Sequence, residues 1–451
     1  MTPSYHALYR AAPHFGFAAT ASWKILKTRG QRSCPEPLLT RFLFRWFFAL
    51  FTLLASVSLQ AQPTGALTER DSVDRVLQQP AVQAWIKGAL DNAQSDILEQ
   101  SRWKNPTFEY ALSAPGNRLQ NATEQIFVIS QPVDLSGRRG LRREAAEMKR
   151  ESVAAETQSK RLQLAAETRH RFFAVLHRQR RVDSHRRWMQ QLAQQEKILR
   201  TRYKAGDVSG YDLRRLAREL ASAEAQFQSE RAQLQHGWEQ LLALWQQDAA
   251  PKTREVSGEL LPTPPHALEK LLDEFRQNPV LTRLAKKKSA LELNAQAAGR
   301  WAIPEFDLGI GAQVFDAPTY EDTALVVNLA LPLPLWSQNN AERMRYHAQA
   351  QMAESQYQLT QQKTAGEIRA LWQQTNGLIQ AAEGLEKNAR TVSEELLKIA
   401  ASGYKAGEFD MLELLDAHRE HLRLELETLD LAFKAREADI ELDRMTATIG
   451  P

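Results

Sequence analysis

The sequence predicts a mainly α-helical fold made of two duplicated halves, each a long helical coiled coil joined to a two-strand β-hairpin. Three observations predict it. The first is repetition: Tyr203-Lys204-Ala205-Gly206 returns as Tyr404-Lys405-Ala406-Gly407, an offset of 201 positions. Asn105-Pro106-Thr107-Phe108 is echoed by Ile303-Pro304-Glu305-Phe306, Pro132 and Leu135 by Pro332 and Leu335, and Gln79-Pro80 by Asn278-Pro279. A unit of that length is too long for a solenoid repeat and reads as duplication of a whole module. The second observation is proline: none falls between Val133 and Ala250, and none between Leu335 and Gly450. Because proline costs a helix interior ~3 kcal/mol, both runs read as very long helices. The third is a period of two, in which Phe306, Leu308, Ile310, Ala312 and Val314 alternate with polar or small residues, as on a strand with one apolar face.

In chain order, Arg41 and Arg45 flank an apolar stretch, Trp46 to Leu59, that ends in small residues before Ala61-Gln62. Basic, then apolar, then small is a secretory signal pattern, with cleavage after Ser58 or Ala61. The run is shorter than the ~20 residues of a membrane span, which favours a cleaved signal over an anchor. Residues 1–40 read either as a start placed too early or as a genuine extension. Removing residues 1–61 takes seven of 58 basic residues and one of 54 acidic ones, leaving 51 and 53, a net charge of −2. The apparent basicity thus belongs to the targeting segment, and no nucleic-acid partner is expected. Cys34, the only cysteine, leaves too, so the mature chain is expected to form neither a disulfide nor a thioether lipid anchor.

The expected modules are an N-terminal segment and first helix at 62–104, a first β-hairpin at 105–135 and a first long helical hairpin at 136–248. A linker at 249–264, a helix at 265–303, a second β-hairpin at 304–335 and a second helical hairpin at 336–447 follow. Turn chemistry at Pro115-Gly116-Asn117 and at Asp316-Ala317-Pro318-Thr319 closes the two β-hairpins. Strands of roughly 10 residues match the ~9–11 of a tilted transmembrane strand. Two readings stay open at this point: a barrel wall, or a soluble sheet covered by helices. Four strands cannot close a barrel, so a membrane location requires oligomers.

The long helices are expected to start near Ser136 and Ser337 and to run about 100 Å to the Tyr-Lys-Ala-Gly turns. Leu412, Leu415, Leu422, Leu426, Leu429, Phe433 and Ile440 occupy a and d heptad positions, interrupted by Arg419 and Arg436, which reads as a partly wet seam. Gly206 and Gly407 are placed to end helices in a left-handed conformation. His418 and His421, His170, His177 and His185, and the basic run Arg169 to Arg187 read as solvated helix positions. No nucleophile elbow, phosphate loop or metal-site signature is present, so no enzyme, cofactor or metal site is expected.

With the duplicated turns, the following Asp212-Leu213 and Glu413-Leu414-Leu415-Asp416-Ala417, and the paired proline borders of the strands, the chain resembles the TolC-type outer membrane efflux factors over about residues 70–447. The stretch Leu331 to Asn340 looks most like the heavy-metal branch, of cobalt–zinc–cadmium or copper–silver type. The resemblance implies a homotrimer with a 12-strand barrel in outer membrane lipid above an α-helical periplasmic tube. It also implies a periplasmic adaptor protein at the hairpin tips (Tyr203, Gly206, Gly407) and an inner-membrane RND transporter beyond it. Asp212 and Glu413 would line the periplasmic aperture with Tyr404, while Phe409 stands where relatives often place a basic residue. Phe306, Leu308, Ile310 and Val314 would face lipid. A soluble exported coiled-coil scaffold and the periplasmic adaptor itself are the alternatives.

Overall fold

A computed structural model describes residues 65–114, 123–245, 254–336 and 338–448. The signal pattern, Cys34, the turn at Pro115-Gly116-Asn117 and Ser337 lie outside the described residues. Thr68 caps α1 (Glu69–Leu77) by accepting from the Asp71 amide at 3.2 Å. Pro80 then opens α2 (Pro80–Ser101) at a first-turn position, where its missing N–H costs nothing. Strands β1 (Thr107–Ser113) and β2 (Thr123–Val133) precede α3 (Arg138–Ala205), which turns into α4 (Gly210–Leu242).

The second half follows the same plan with differences. The helix expected over 265–303 is two helices, α5 (Leu268–Arg276) and α6 (Pro279–Gly299), then a 3-10 turn at Arg300–Ala302. Pro279 has no N–H to donate and drives Asn278 out of the helical region, to φ −60° and ψ 137°. The Asn278 side chain caps α6 through the Val280 amide at 2.8 Å and donates to the Met445 carbonyl at 2.7 Å. Strands β3 (Phe306–Ala317) and β4 (Tyr320–Ala330) come next. The long helix is then interrupted: α7 (Asn340–Gly384) passes through a π-helical segment, Leu385–Ala389, into α8 (Arg390–Ala406). Its duplicate α3 is 68 residues of unbroken α-helix, about 100 Å long. The return helix α9 (Met411–Thr446) ends the fold. The long helices begin at Arg138 and Asn340, two and three residues after the serines that the sequence pointed to.

The four strands make one antiparallel sheet in the order β1-β2-β3-β4. Each strand continues into a helix, and the helices α2, α3, α6 and α7 pack in that same lateral order. Towards the other end, α3 and α9 pack together with α4 and α8 on either side. Three apolar clusters hold the helices. One joins Phe172 and Leu176 of α3 to Trp238 and Leu241 of α4 and Ile440 of α9. A second gathers Leu192, Leu199, Leu216, Met411, Leu414 and Leu415 near the turns. The third packs Phe275, Leu281, Ile368 and Leu442.

Several surface assignments from the sequence are corrected by this packing. His177 and His185 are buried, and Arg169 and Arg181 face carboxylates and are largely shielded from water, while His170, Arg180, Arg186 and Arg187 are exposed as the sequence suggested. Arg169 reaches Glu69 and Asp443, Arg181 reaches Glu230 and Asp430, and His177 bonds Asp430 at 2.7 Å while stacking on Phe433. Burial lowers the His177 pKa, and the charges of Arg181 and Arg178 add to that against the pull of Asp430. His418 is half-buried against Trp188, and His421 Nδ1 stands 3.1 Å from the Ser393 hydroxyl.

The heptad reading of α9 is corrected as well: Leu412 is 40% exposed, while Met411, Leu414 and Leu415 are buried. Of its two arginines Arg436 is largely shielded from water, while Arg419 stays 35% exposed, as a partly wet seam implies. Arg419 pairs with Glu219 of α4, at 2.8 Å from Nε. Arg436 lies over Phe173 and donates to the carbonyls of Glu259, Leu260 and Leu261 in the linker.

Asp439, beside Arg436, is the least comfortable carboxylate in this packing. Burial, reinforced by Asp443, pushes its pKa to about 6 against the opposing pull of Arg436 and Arg169. The folded state therefore holds the proton more tightly than the unfolded chain, so this group destabilises the fold above about pH 6 and ceases to do so below about pH 4. Asp439→Asn is expected to melt above the parent at pH 7.5, by at most about 3 kcal/mol. The gap should close as pH falls through 6, read by circular dichroism melts across pH 4.5–7.5.

Candidate functional site

The residues singled out by the sequence gather at two places, the paired helical turns and the two faces of the sheet. At the turns, α3 and α8 each end on a glycine in the left-handed region, Gly206 at φ 86° and Gly407 at φ 79°. That conformation lets the Asp207 amide bond the Arg202 carbonyl at 3.0 Å and the Glu408 amide bond the Gly403 carbonyl at 2.9 Å, closing both helices. A side chain at either position would strain the backbone by roughly 1 kcal/mol.

Both tip acids sit in the first turn of a return helix and cap it. Ser209 accepts from the Asp212 amide at 3.1 Å and donates its hydroxyl to the Asp212 carboxylate at 2.6 Å. Asp410 and Glu413 form a reciprocal capping box, with bonds of 3.0 and 2.7 Å. The acids thus have a local structural role, and they stand at the positive ends of helices where negative charge is favourable.

Tyr404 is half-buried between the two turns, and its neighbours come from the other hairpin. Burial pushes its phenol above the ordinary value, the Arg202 guanidinium pulls it down, and the Asp212 charge pushes it up. Arg202 lies 5.9 Å from the Tyr404 ring centroid. Arg202, which the sequence reading passed over, is thus the basic group beside Tyr404, and it comes from the other hairpin. Arg202 immediately precedes Tyr203, the duplicate of Tyr404, and only the side-by-side placement of the tips reveals the pairing. Phe409 fills the space over Gly403, where an added Cβ would lie 2.6 Å from Phe409 Cδ2, and joins the apolar cluster near the turns. Tyr203 is 48% exposed and its ring shields Gly210.

In the sheet, one face is apolar from edge to edge. A single rung runs Phe108, Ile129, Ile310, Val327, and all four are exposed. Leu308 and Leu329 make the adjacent pair, also exposed, while Phe306 and Val314 are half-buried. The opposite face is mixed, carrying Glu109, Glu124, Ser130, Gln313 and Asn328 beside Ile126, Val128, Phe315, Val326 and small residues, and Gln313 donates to Glu124. That face is the crowded one, since a Cβ on Gly311 would collide with the Phe127 carbonyl oxygen. Strands β1 and β4 are unpaired at the outer edges of the sheet. Among the described residues no helix is long and apolar enough to cross a membrane, and no three His, Cys, Asp or Glu side chains are grouped to hold a metal ion.

A family described as Outer membrane efflux protein matches residues 77–246 and 273–448, one match for each half. The cobalt-zinc-cadmium resistance protein CzcC of Cupriavidus metallidurans is 25% identical over 359 residues, 79% of this chain and 84% of that protein. A membrane protein from Pseudomonas aeruginosa superposes with a TM-score of 0.69 at 20% identity, covering 84% of this chain and 90% of its own. The CmeC outer membrane channel of Campylobacter jejuni superposes at 0.68 with 14% identity, covering 84% and 85%.

The contact of Phe409 with Gly403 yields a direct test. Gly403→Ala is expected to displace the ring and cost ~1–3 kcal/mol of local packing. Protease nicking at the second tip should rise, and Gly403→Ala combined with Phe409→Leu should restore parental resistance.

Proposed function

The chain belongs to the outer membrane efflux protein family, and we propose that it works as the exit duct of a tripartite efflux pump. Three copies would close their sheets into a 12-strand barrel, and a periplasmic adaptor protein and an inner-membrane RND transporter would deliver the cargo. Family membership sets aside the scaffold and adaptor alternatives. The observation that carries the duct reading is the open sheet. It has two unpaired edges, one exposed face with an apolar rung running from edge to edge, and a second face that holds most of its polar side chains. A sheet edge cannot remain unpaired in lipid. Joining β1 of one copy to β4 of the next would satisfy the edges, turn Phe306, Leu308, Ile310 and Val314 towards lipid, and enclose the second face as a lumen.

In this reading the turns are the periplasmic mouth. Tyr203, Gly206 and Gly407 would form the adaptor contact, and Asp212 and Glu413 from three copies would set six carboxylates around the aperture. Their charge favours cations in a constriction. Tyr404 with Arg202, and Phe409 against Gly403, would hold the closed mouth. Divalent heavy-metal cations are the proposed cargo, a choice supported by the similarity to a cobalt-zinc-cadmium resistance protein. The duct conducts passively, and selection rests with the transporter.

Two measurements test this. In planar bilayers, Asp212→Asn with Glu413→Gln should lower cation preference and weaken divalent-cation block; unchanged selectivity and block would refute the aperture assignment. For the barrel, Leu308→Arg should cost ~2–4 kcal/mol and reduce the assembled trimer, while Gln313→Arg on the second face is tolerated. Equal behaviour of these two variants would sink the facing assignment.

A further inference from the structure

The start of α3 is electrostatically inverted. Arg138, Arg139, Arg142 and Arg143 crowd its first turns, no acid stands in the first turn, and the N-cap, Gly137, offers no side-chain bond. The helix dipole places positive charge at that same end. The duplicated helix start is ordinary by comparison: α7 has Glu342 in its first turn, bonded to the Asn339 amide. Two of the four arginines find carboxylates, Arg138 with Asp134 at 3.9 Å and Arg143 with Glu147 at 3.3 Å. Arg139 and Arg142 have no carboxylate partner among the described residues, and Arg139 Nη1 is buried without a hydrogen-bond partner.

Both unpaired arginines line a cleft of about 830 Å³ where the strands meet the helices. The indole of Trp103 lies 3.8 Å under the Arg139 guanidinium, and Trp301 lies 4.9 Å under that of Arg138. Arg138 is already engaged, its Nε donating to Ser136 at 2.8 Å with Asp134 beside it. Arg139 keeps an N–H without a partner, and a guanidinium over an indole is suited to bidentate binding of a phosphate. The cleft wall is continuous with the apolar face of the sheet. Leu325, Val327 and Leu329 of β4 lead into Leu331, Leu333 and Leu335, all exposed, and Trp336 beside them is 94% exposed. Glu99, Asp134 and Glu305 also line the cleft and pair with Arg102, Arg138 and Lys104 respectively, which leaves Arg139 and Arg142 as its excess charge. A tryptophan-lined hollow with that excess positive charge at the end of an apolar stripe joins the features that recognise a lipid headgroup with its chains.

We infer that this cleft binds the phosphate of an anionic phospholipid at the periplasmic rim of the barrel, with Arg139 and Arg142 on the phosphate and the acyl chains along the β4 stripe. The inference rests on the membrane placement proposed above. Asp134 balances only one of the four charges within that first stretch of helix; an anion there would supply counter-charge to Arg139 and Arg142, and would fix the depth at which the barrel sits.

The test uses the full-length protein, purified in detergent, stripped of lipid and titrated with brominated phosphatidylglycerol or brominated phosphatidylcholine while tryptophan fluorescence is read. Phosphatidylglycerol is expected to quench at about tenfold lower concentration than phosphatidylcholine. Arg139→Gln with Arg142→Gln should abolish that preference, Trp103→Phe should remove much of the quenching specific to phosphatidylglycerol, and Arg161→Gln on the exposed side of α3 should change neither. Equal quenching by the two lipids, or an unchanged preference in the double arginine variant, would overturn the inference. Displacement of phosphatidylglycerol by inorganic phosphate at matching concentrations would also overturn it, by making the site one for free anions. Conductance in planar bilayers separates the two levels of argument. A conducting channel without lipid preference removes the headgroup site alone, and a chain that never inserts removes the duct reading beneath it.

Discussion

The fold depends on keeping two very long helices from different halves in register, and a seam of polar pairs between α3 and α9, buried at Arg169 and His177, half-buried at Arg181 and exposed at His170 and Arg187, does this. Apolar packing alone is permissive of sliding, because one leucine knob resembles the next. Along this seam each pairing is chemically distinct: Arg169 with Asp443, His170 with Glu437, His177 and Arg181 with Asp430, and Arg187 with Glu425. Residue numbers rise on one helix as they fall on the other, as an antiparallel pair requires. A slip by one turn would part Arg169 and Arg181, the least exposed cations of the seam, from their carboxylates on α9, while the solvated pairs at His170 and Arg187 would cost little. The contribution of such pairs to stability over an apolar isostere is small. Their contribution to register is large, and register positions both the sheet and the turns.

Duplication supplied two copies of one plan, and the differences between the copies fall where the halves do different work. α3 runs unbroken and carries the basic side of the seam. Its duplicate is interrupted by the π-helical segment at Leu385–Ala389, level with the region where α9 presents Glu425 to Arg187. An extra residue in a helical turn shifts the face that all following residues present. Past that shift, α8 turns Ala400 and Gly403 into the cluster that holds Phe409, Met411 and Leu414. The second tip is thus packed by a ring over a glycine, while the first tip keeps Tyr203 exposed and lends Arg202 to its neighbour.

What could be read from the sequence were the features carried by one element and its own periodicity. Proline-free runs, the two-residue alternation of β3, and glycines ending helices before Asp212 and Glu413 all act locally, so the chain states them directly. Features created by two elements meeting were misread. His177 and Arg181 look like surface residues on a helix as rich in arginine as α3, because Asp430, which both contact, lies some 250 positions away and Glu230 comes from the next helix. Arg436 interrupts an apolar heptad and is satisfied by linker carbonyls, which no side-chain pattern encodes. Met411 and Leu414 displaced Leu412 from the core because α9 packs on α3, α4 and α8 near the turns, not on one partner as a simple heptad assumes. Arg202 belongs to the same group: its role exists only where two hairpins stand side by side.

The sign of charge at a helix start then separates residues that folding satisfies from residues that need something further. At the turns, Asp212 and Glu413 are negative groups at positive helix ends, each completing a cap with Ser209 or Asp410. Folding alone stabilises them, so negative charge at the mouth is obtained at no cost to the fold. At the sheet end, α3 opens with arginines at a positive helix end, and Arg139 keeps a buried nitrogen without a partner. Asp134 and Glu147 offset Arg138 and Arg143, but Arg139 and Arg142 have no carboxylate among the described residues, and two tryptophans lie against the guanidinium groups of Arg138 and Arg139. A capped acid is explained within the chain. A stacked and unpaired cation on the rim of an apolar sheet is explained by what lies outside it, and in a membrane that surrounding is lipid.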